Sequence, residues 1–261
     1  MRISLIITTY NRPEALLLVL LSIESQESQP YEVIIANDGS ELPTQNLIEE
    51  FMLKTNLKII HSFQEDFGFR AAESRNKAIS SASGDYIVLI DGDMILHPEF
   101  IGDHLRNAQC GYFIQGSRVL ITKMKTREVI KSKKLAFNLF TPGLSNRLNS
   151  IHSQFLSKIF SIKKNHLIGI RTCNMSFFRE DCLKVNGFNN DFIGWGREDS
   201  EFVVRLFNKG FKRKTVKFSA IQYHLWHSDE ARESLLKNNQ LLQHAIEEKP
   251  EWCENGICKF L

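Results

Sequence analysis

Tyr86-Ile87-Val88-Leu89-Ile90 is an unbroken, β-rich apolar run, and it ends directly in Asp91-Gly92-Asp93. A short apolar run bounded by turn formers predicts a strand buried on both faces. Two carboxylates at the mouth of such a strand repel one another and are costly to desolvate unless a cation neutralises them. A divalent ion with oxygen ligands does this, and open α/β sheets bind their ligands at that end of the strands. Asp and Gly also build ordinary turns, so the triplet alone leaves a cation site and a plain turn both open.

Working outward, strands and helices alternate. Residues 3–8 predict a strand. Pro13 opens a helix over 14–24 that is apolar nearly all round and therefore buried. Residues 32–36 predict a second strand, running into Asn37-Asp38-Gly39-Ser40, and 44–54 a helix with Thr44 as its N-cap. Residues 57–61 predict a third strand and 71–81 a helix, after which Gly84-Asp85 turns into the strand over 86–90. This alternation implies a parallel sheet with right-handed crossovers. Beyond Asp93, residues 98–107 read as helix, 111–122 as extended, 149–160 as weakly helical and 169–178 as strand. Helices are expected over 179–185 and 198–208, a short strand over 220–224 and a final helix over 230–248.

The 261 residues are 43% hydrophobic, which excludes a disordered chain and suits one large α/β domain. The longest apolar stretch, residues 15–21, is far short of the ~20 residues of a membrane span. The first strand is too short for the apolar core of a secretory signal, so a cytoplasmic location is expected. Five cysteines without a CxxC pair read as free thiols, with Cys253 and Cys258 as the alternative pairing. The net charge of +3 conceals an asymmetry: residues 118–164 hold 11 Lys/Arg and the single acid Glu128. Basic residues interleaved with Leu135, Phe137, Phe140, Phe155, Ile159 and Phe160 fit peripheral contact with an anionic membrane, or else a solvated helical face. No nucleic-acid motif accompanies the charge, so no nucleic-acid partner is expected.

Thr8-Thr9-Tyr10-Asn11-Arg12 ends the first strand, Asp38-Gly39-Ser40 the second and Asp91-Gly92-Asp93 the fourth. Three polar clusters at one edge of one sheet build a single nucleotide-sized crevice. GxGxxG and GxxxxGK[ST] are both missing, which disfavours a dinucleotide site and a P-loop. These motifs, with Arg75-Asn76 on the following helix, resemble family 2 glycosyltransferases of the GT-A fold, a Rossmann-like nucleotide-sugar-binding sheet with helices on both faces. A second block, Gly187-Phe188 and then Gly194-Trp195-Gly196-Arg197-Glu198-Asp199, is similar to the C-terminal block of β-1,4-galactosyltransferases and of bacterial chondroitin polymerase-type enzymes.

The resemblance implies a nucleotide-sugar-binding half over 1–100 and an acceptor-binding, catalytic half over 101–229, followed by a C-terminal helix and tail over 230–261. It implies a UDP-sugar donor bound through Mn²⁺ or Mg²⁺. Asp93 would ligate the metal and Asp91 would support the ribose side. His224 and then His227 would complete the shell: Tyr223-His224 matches the polymerase-type Tyr-His, and a spacing of three matches the galactosyltransferase pair. Imidazole ligands favour Mn²⁺. Thr8, Thr9, Tyr10, Arg12, Gly92, Arg70 and Arg75 are the remaining donor-binding candidates, Arg75 with a structural ion pair as its alternative, and Asp38 would accept the uracil N3–H. Asp199 is the implied general base, with Glu198 beside it at a helix start where the dipole favours carboxylates. Trp195, Gly194, Gly196 and Asn174 would face the sugar or acceptor. The expected activity is inverting transfer of a hexose or N-acetylhexosamine to a glycan or lipid-linked saccharide in lipopolysaccharide or capsule biosynthesis, at the inner face of the membrane. The alternative is a non-catalytic nucleotide-sugar or glycan-binding protein. A nucleotidyltransferase is disfavoured, because no glycine-rich basic loop is present.

Overall fold

The computed structural model describes residues 1–228 and 232–261. Its elements, in chain order, are β1 (Ile3–Thr9), α1 (Pro13–Glu24), β2 (Glu32–Asn37), α2 (Leu42–Met52), β3 (Ile59–Phe63), α3 (Ala71–Ser80), β4 (Tyr86–Asp91), β5 (Met94–Leu96) and α4 (Phe100–Asn107). There follow β6 (Tyr112–Gln115), β7 (Arg118–Ile121), α5 (Lys123–Ser132), β8 (Leu144–Ser145), α6 (Gln154–Phe160), β9 (Ile162–Lys163), β10 (Asn174–Phe178) and α7 (Arg179–Leu183). The chain closes with α8 (Glu198–Asn208), β11 (Lys212–Thr215), β12 (Gln222–His224) and α9 (Leu235–Glu248).

Eight strands form the main sheet in the order β3-β2-β1-β4-β10-β6-β11-β9, and four form a small sheet in the order β5-β12-β7-β8. The first four strands are parallel, as their alternation with helices requires. Because β1 and β4 are buried on both faces up to Thr8 and Asp91 at their mouths, successive side chains feed opposite cores. Leu5, Ile7, Val88 and Ile90 join one core, while Ile6, Ile87 and Leu89 join the other with Ala72, Ile79 and Phe202 of α3 and α8. The all-round apolarity of α1 has its cause in a third core. Leu16, Val19, Leu20 and Ile23 face the main sheet, while Ala15 and Leu18 pack on Ile95, Val119 and Tyr223 of the small sheet. The helix is a filling between two sheets, which leaves it no polar face.

Several local expectations are corrected. The main sheet is mixed rather than parallel, since β10 runs antiparallel to β4 and β6. Residues 111–122 are not one extended segment but β6 and β7, which belong to different sheets. The chain breaks at Gly116, where an added Cβ would lie 2.3 Å from Asn174 Oδ1. The strand expected over 169–178 begins only at Asn174. Thr44 lies inside α2, which starts after Glu41 with Pro43 in its first turn. The short elements β5, β11 and α5 carry too little pattern to be seen in sequence. The last helix begins at Leu235 rather than at residue 230; residues 230 and 231 of its expected span lie outside the described residues. All five cysteines are free, so Cys253 and Cys258 are unpaired. The C-terminal tail packs on the body through buried Ile257 and Cys253, and Asn186 Nδ2 donates to the Cys253 carbonyl at 2.6 Å.

At the end of the sheet away from the strand-mouth motifs, buried Glu32 accepts from Ser4 Oγ, Ser83 N and Oγ, and Lys58 Nζ, at 2.6–2.8 Å. Burial alone would raise its carboxyl; these donors outweigh burial and hold it at about 2. A depressed carboxyl stabilises the fold above its unfolded value and loses that contribution as it is protonated. Thermal melts should therefore show stability falling between about pH 4.5 and pH 2, and Glu32→Gln should be destabilised near neutrality with a flatter acid limb.

Candidate active site

The parallel register brings the strand-end motifs together. Thr8 stands beside both Ala36 and Asp91, and Thr9 beside Asn37. Gly92 N donates to the Thr8 carbonyl at 2.7 Å and Asp38 N to the Thr9 carbonyl at 3.0 Å, so each motif is tied to the mouth of β1. Gly92 is needed for this approach, because a Cβ there would lie 2.8 Å from Thr9 Oγ1. The antiparallel pairing of β5 with β12 then sets His224 opposite Met94, next to Asp93. The result is a crevice of about 800 Å³, of a size that holds a nucleotide-sized ligand.

Thr8, Thr9, Tyr10, Arg12, Asp38, Arg75, Asp91, Gly92 and Asp93 all line this crevice, and so do Trp195, Gly196, Glu198, Asp199, His224 and His227. Asp93 Oδ2 has His224 Nε2 at 3.4 Å and His227 Nε2 at 3.5 Å, with Arg12 Nη1 at 2.5 Å. Its other oxygen, Oδ1, is buried without a partner. Burial works to raise this carboxyl, but the His224 hydrogen bond and the charges of His224, Arg12 and His227 hold it below its ordinary value. One ligand atom from each of Asp93, His224 and His227 falls within 4.8 Å of the others. His227 Nδ1 lies 2.6 Å from the Ser228 carbonyl, an arrangement that leaves Nε2 free for a cation. An orphaned carboxylate oxygen and two imidazole nitrogens fit a divalent transition metal. A second cluster, Glu99, Asp103 and His152, also has ligand spacing. There Arg106 already bridges both carboxylates at 2.6–2.7 Å, and the cluster is no part of the crevice.

Asp38 accepts from Gln64 Nε2 on one oxygen and from Arg70 N at 2.8 Å on the other, and burial raises its carboxyl despite these bonds. Each oxygen keeps a further lone pair for a ligand donor. Arg70 reaches this site only through its backbone. Its guanidinium is held by Glu73 at 2.9 Å and by the Glu65 carbonyl at 2.6 Å, and it stacks on Phe67. Arg75 is buried beneath the crevice. It donates to Glu198 Oε1 at 2.9 Å and to Thr8 Oγ1 at 3.3 Å, and stands 3.6 Å from Asp91. The ion-pair alternative for Arg75 is thus the geometry observed. Burial pushes the Asp91 carboxyl up against the pull of this guanidinium, and the Asp93 charge pushes it further.

Arg197 in the left-handed region (φ 79°) turns the chain into α8. Glu198 and Asp199 therefore occupy its first turn, where the helix dipole favours negative charge. Asp199 Oδ1 accepts from Ser200 N at 2.6 Å and from Ser200 Oγ at 3.1 Å, which fixes the carboxylate. Burial and then the neighbouring Glu198 charge push Asp199 up to about 7, a value suited to proton transfer near neutrality. The helix behind it is anchored by fully buried Arg205, which pairs with Glu201 at 2.7 Å and donates to the Val185 carbonyl. Trp195 is partly exposed at the crevice wall. Gly194 is not among the lining residues; its N–H bonds the Phe69 carbonyl at 2.8 Å. Asn174 is likewise not part of the crevice. It is buried, and its Nδ2 donates to the Ser117 and Ala220 carbonyls at 2.8 Å.

Sequence reasoning missed one wall. Residues 167–173 and Arg118 also line the crevice. The segment carries no motif and no regular structure, and only the basic charge around it gave a signal. Removing Arg75 tests how the crevice is held together. Arg75→Leu should cost about 3–5 kcal/mol in urea unfolding, the usual penalty for leaving buried carboxylates without their partner.

Comparison with known proteins agrees with this geometry. The model described as Glycosyl transferase family 2 matches residues 4–185, and the one described as N-terminal domain of galactosyltransferase matches residues 157–228. Chondroitin synthase of Escherichia coli is 26% identical over 85% of this chain and 34% of its own length. Hyaluronan synthase of Pasteurella multocida is 25% identical over 82% of this chain and 24% of its own length. The chain thus spans about a quarter to a third of these relatives. The structure of S. aureus TarS 1-349 in complex with UDP superposes with a TM-score of 0.55 at 18% identity, over 93% of this chain and 64% of that one. The fold is GT-A, and the chain belongs to glycosyl transferase family 2.

Proposed function

We propose that this chain transfers a hexose or N-acetylhexosamine from a UDP-sugar to a hydroxyl of a glycan acceptor, with inversion at the anomeric carbon. One observation carries the reading: the strand-mouth carboxylate Asp38, a trio at metal-ligand spacing (Asp93, His224, His227) and a fixed carboxylate of raised affinity for protons (Asp199) share one crevice. The UDP in the S. aureus TarS complex supports a uridine nucleotide as donor here. The similarity to a chondroitin synthase and a hyaluronan synthase supports a glycan acceptor.

In this reading Asp38 accepts from the uracil, and Thr8, Thr9 and Tyr10 shape the nucleoside wall. Asp93, His224 and His227 would hold a divalent cation, with Mn²⁺ favoured by the imidazoles. Such an ion, when bound, supplies positive charge for the diphosphate as it leaves. Arg12, beside Asp93, adds a fixed guanidinium at the same point. Trp195 offers a flat apolar wall to a sugar ring. Asp199 takes the proton of the acceptor hydroxyl, which attacks the anomeric carbon from the face opposite the diphosphate. An α-linked donor therefore gives a β-glycoside. A diphosphate leaves without protonation, so the paired-carboxylate logic of glycosidases does not apply. Assembly of a lipopolysaccharide or capsule glycan is the role this reading assigns.

Calorimetric titration of UDP should show binding with Mn²⁺ that is lost with EDTA and in Asp93→Ala. No binding in either condition by folded protein would overturn the reading, and binding without turnover on any acceptor would favour the non-catalytic alternative. Asp199→Asn should lower turnover about 10²–10⁴-fold, the usual contribution of a general base, with UDP affinity retained. Asp199 must be ionised to accept a proton, and its carboxyl is raised to about 7. The pH–rate profile should accordingly fall on the acid side of neutrality, and that limb should vanish in the residual activity of Asp199→Asn.

A further inference from the structure

The segment between Glu128 and Glu180 contains no acidic residue. Within it, α6 is turned inside out relative to an ordinary surface helix. Ser157 faces inward and is buried, while Phe155 is 71% exposed, Ile159 58% and Phe160 50%. Ile162, the first residue of the edge strand β9, is 45% exposed. A helix on a solvated surface places its apolar stripe on the core and its polar residues outside. Here the large apolar side chains point out, and exposed Lys158, Lys163, Lys164 and Lys217 stand among them. The face is built rather than frayed. Ser153 caps α6 by accepting from Leu156 N at 3.3 Å, Ser153 N donates to the Phe218 carbonyl at 2.9 Å, and Phe160 packs edge-on against Phe218 at 5.7 Å.

We propose that α6 and β9 form a docking face for an anionic lipid bilayer. Aromatic and aliphatic side chains enter the headgroup boundary, while lysines stay at the level of the anionic headgroups. None of the four lysines pairs with a carboxylate among the described residues; Lys163 Nζ donates to Gln109 Oε1 at 3.0 Å and lies over the Tyr112 ring, so Lys158, Lys164 and Lys217 carry the charge left for an external partner. A second copy of this chain fits less well, because a two-fold contact through this face would bring the same lysines against one another. Among the described residues no helix is long and apolar enough to cross a membrane, so such a face would be a surface contact rather than a span. The chain leaving β9 runs directly to residues 167–173, which line the crevice, and Ile168 there is 83% exposed. Docking would thus bring the bilayer toward the crevice through a short connection. What docking serves, presentation of a lipid-linked acceptor, rests on the glycosyl-transfer reading; the docking itself does not.

Flotation with vesicles of phosphatidylcholine alone, and of phosphatidylcholine and phosphatidylglycerol in equal parts, tests this on the full chain. The protein should float with the anionic vesicles only, and less so as salt is raised. Lys158→Ala with Lys164→Ala should weaken partitioning about 30-fold, at ~1 kcal/mol per cation near an anionic surface. Phe155→Ser with Ile159→Ser should abolish it. Metal-dependent UDP binding should be unchanged in both variants. Equal binding to both vesicle types, no binding to either, or variants that float like the parent would overturn the proposal. So would a dimer in light scattering that Phe155→Ser with Ile159→Ser dissociates, because the face would then be a self-association surface. Loss of UDP binding by protein that still floats would sink the functional reading and leave the docking standing.

Discussion

Crowded negative charge is the constraint around which the molecule is built. Asp91, Asp93, Glu198 and Asp199 converge on one crevice from β4, the turn after it and the start of α8. Their mutual repulsion and desolvation would push the elements apart without a counter-charge. Arg75 supplies the permanent part of it, buried between Asp91, Glu198 and Thr8. Arg12 supplies another part at Asp93. The residual strain on the carboxylates is visible in the raised proton affinity of Asp91 and Asp199. Asp93, with Arg12 and two imidazoles around it, is held the other way, below its ordinary value, so neighbouring acids in one crevice differ in proton affinity.

The packing serves the same end. The strand-mouth edge is backed by β1 and β4, whose residues are buried on both faces up to Thr8 and Asp91. The small sheet carries His224 and is held at a fixed distance by α1, whose two apolar sides join the two sheets. The bidentate Glu201–Arg205 pair, fully buried, anchors α8 so that the carboxylates in its first turn do not drift. Precision at the site is thus inherited from packing some distance away.

Much of the candidate site was legible because it lies at strand ends, where a hydrophobic run stops and polar residues begin. Thr8-Thr9, Asp38 and Asp91-Gly92-Asp93 are each announced by the strand before them. Asn174 shows the limit of this reasoning. Its side chain is consumed by the Ser117 and Ala220 carbonyls at the point where the chain passes between sheets, and nothing local distinguishes that use from ligand binding. The same holds for Arg70, whose guanidinium closes its own loop while its backbone N–H meets Asp38.

The sequence by itself determined that the first four strands run parallel, that α1 is buried and on which edge of the sheet the crevice opens, because hydrophobic periodicity and strand-end chemistry are local signals. Tertiary structure alone decided the antiparallel insertion of β10, the division of residues 111–122 between two sheets, the wall made by residues 167–173 and the pairing of Arg75 with Glu198. Arg75 and Glu198 lie 123 residues apart in the chain. A contact of that span is settled by which faces remain to be buried once the local elements have formed, and no single stretch of sequence records it.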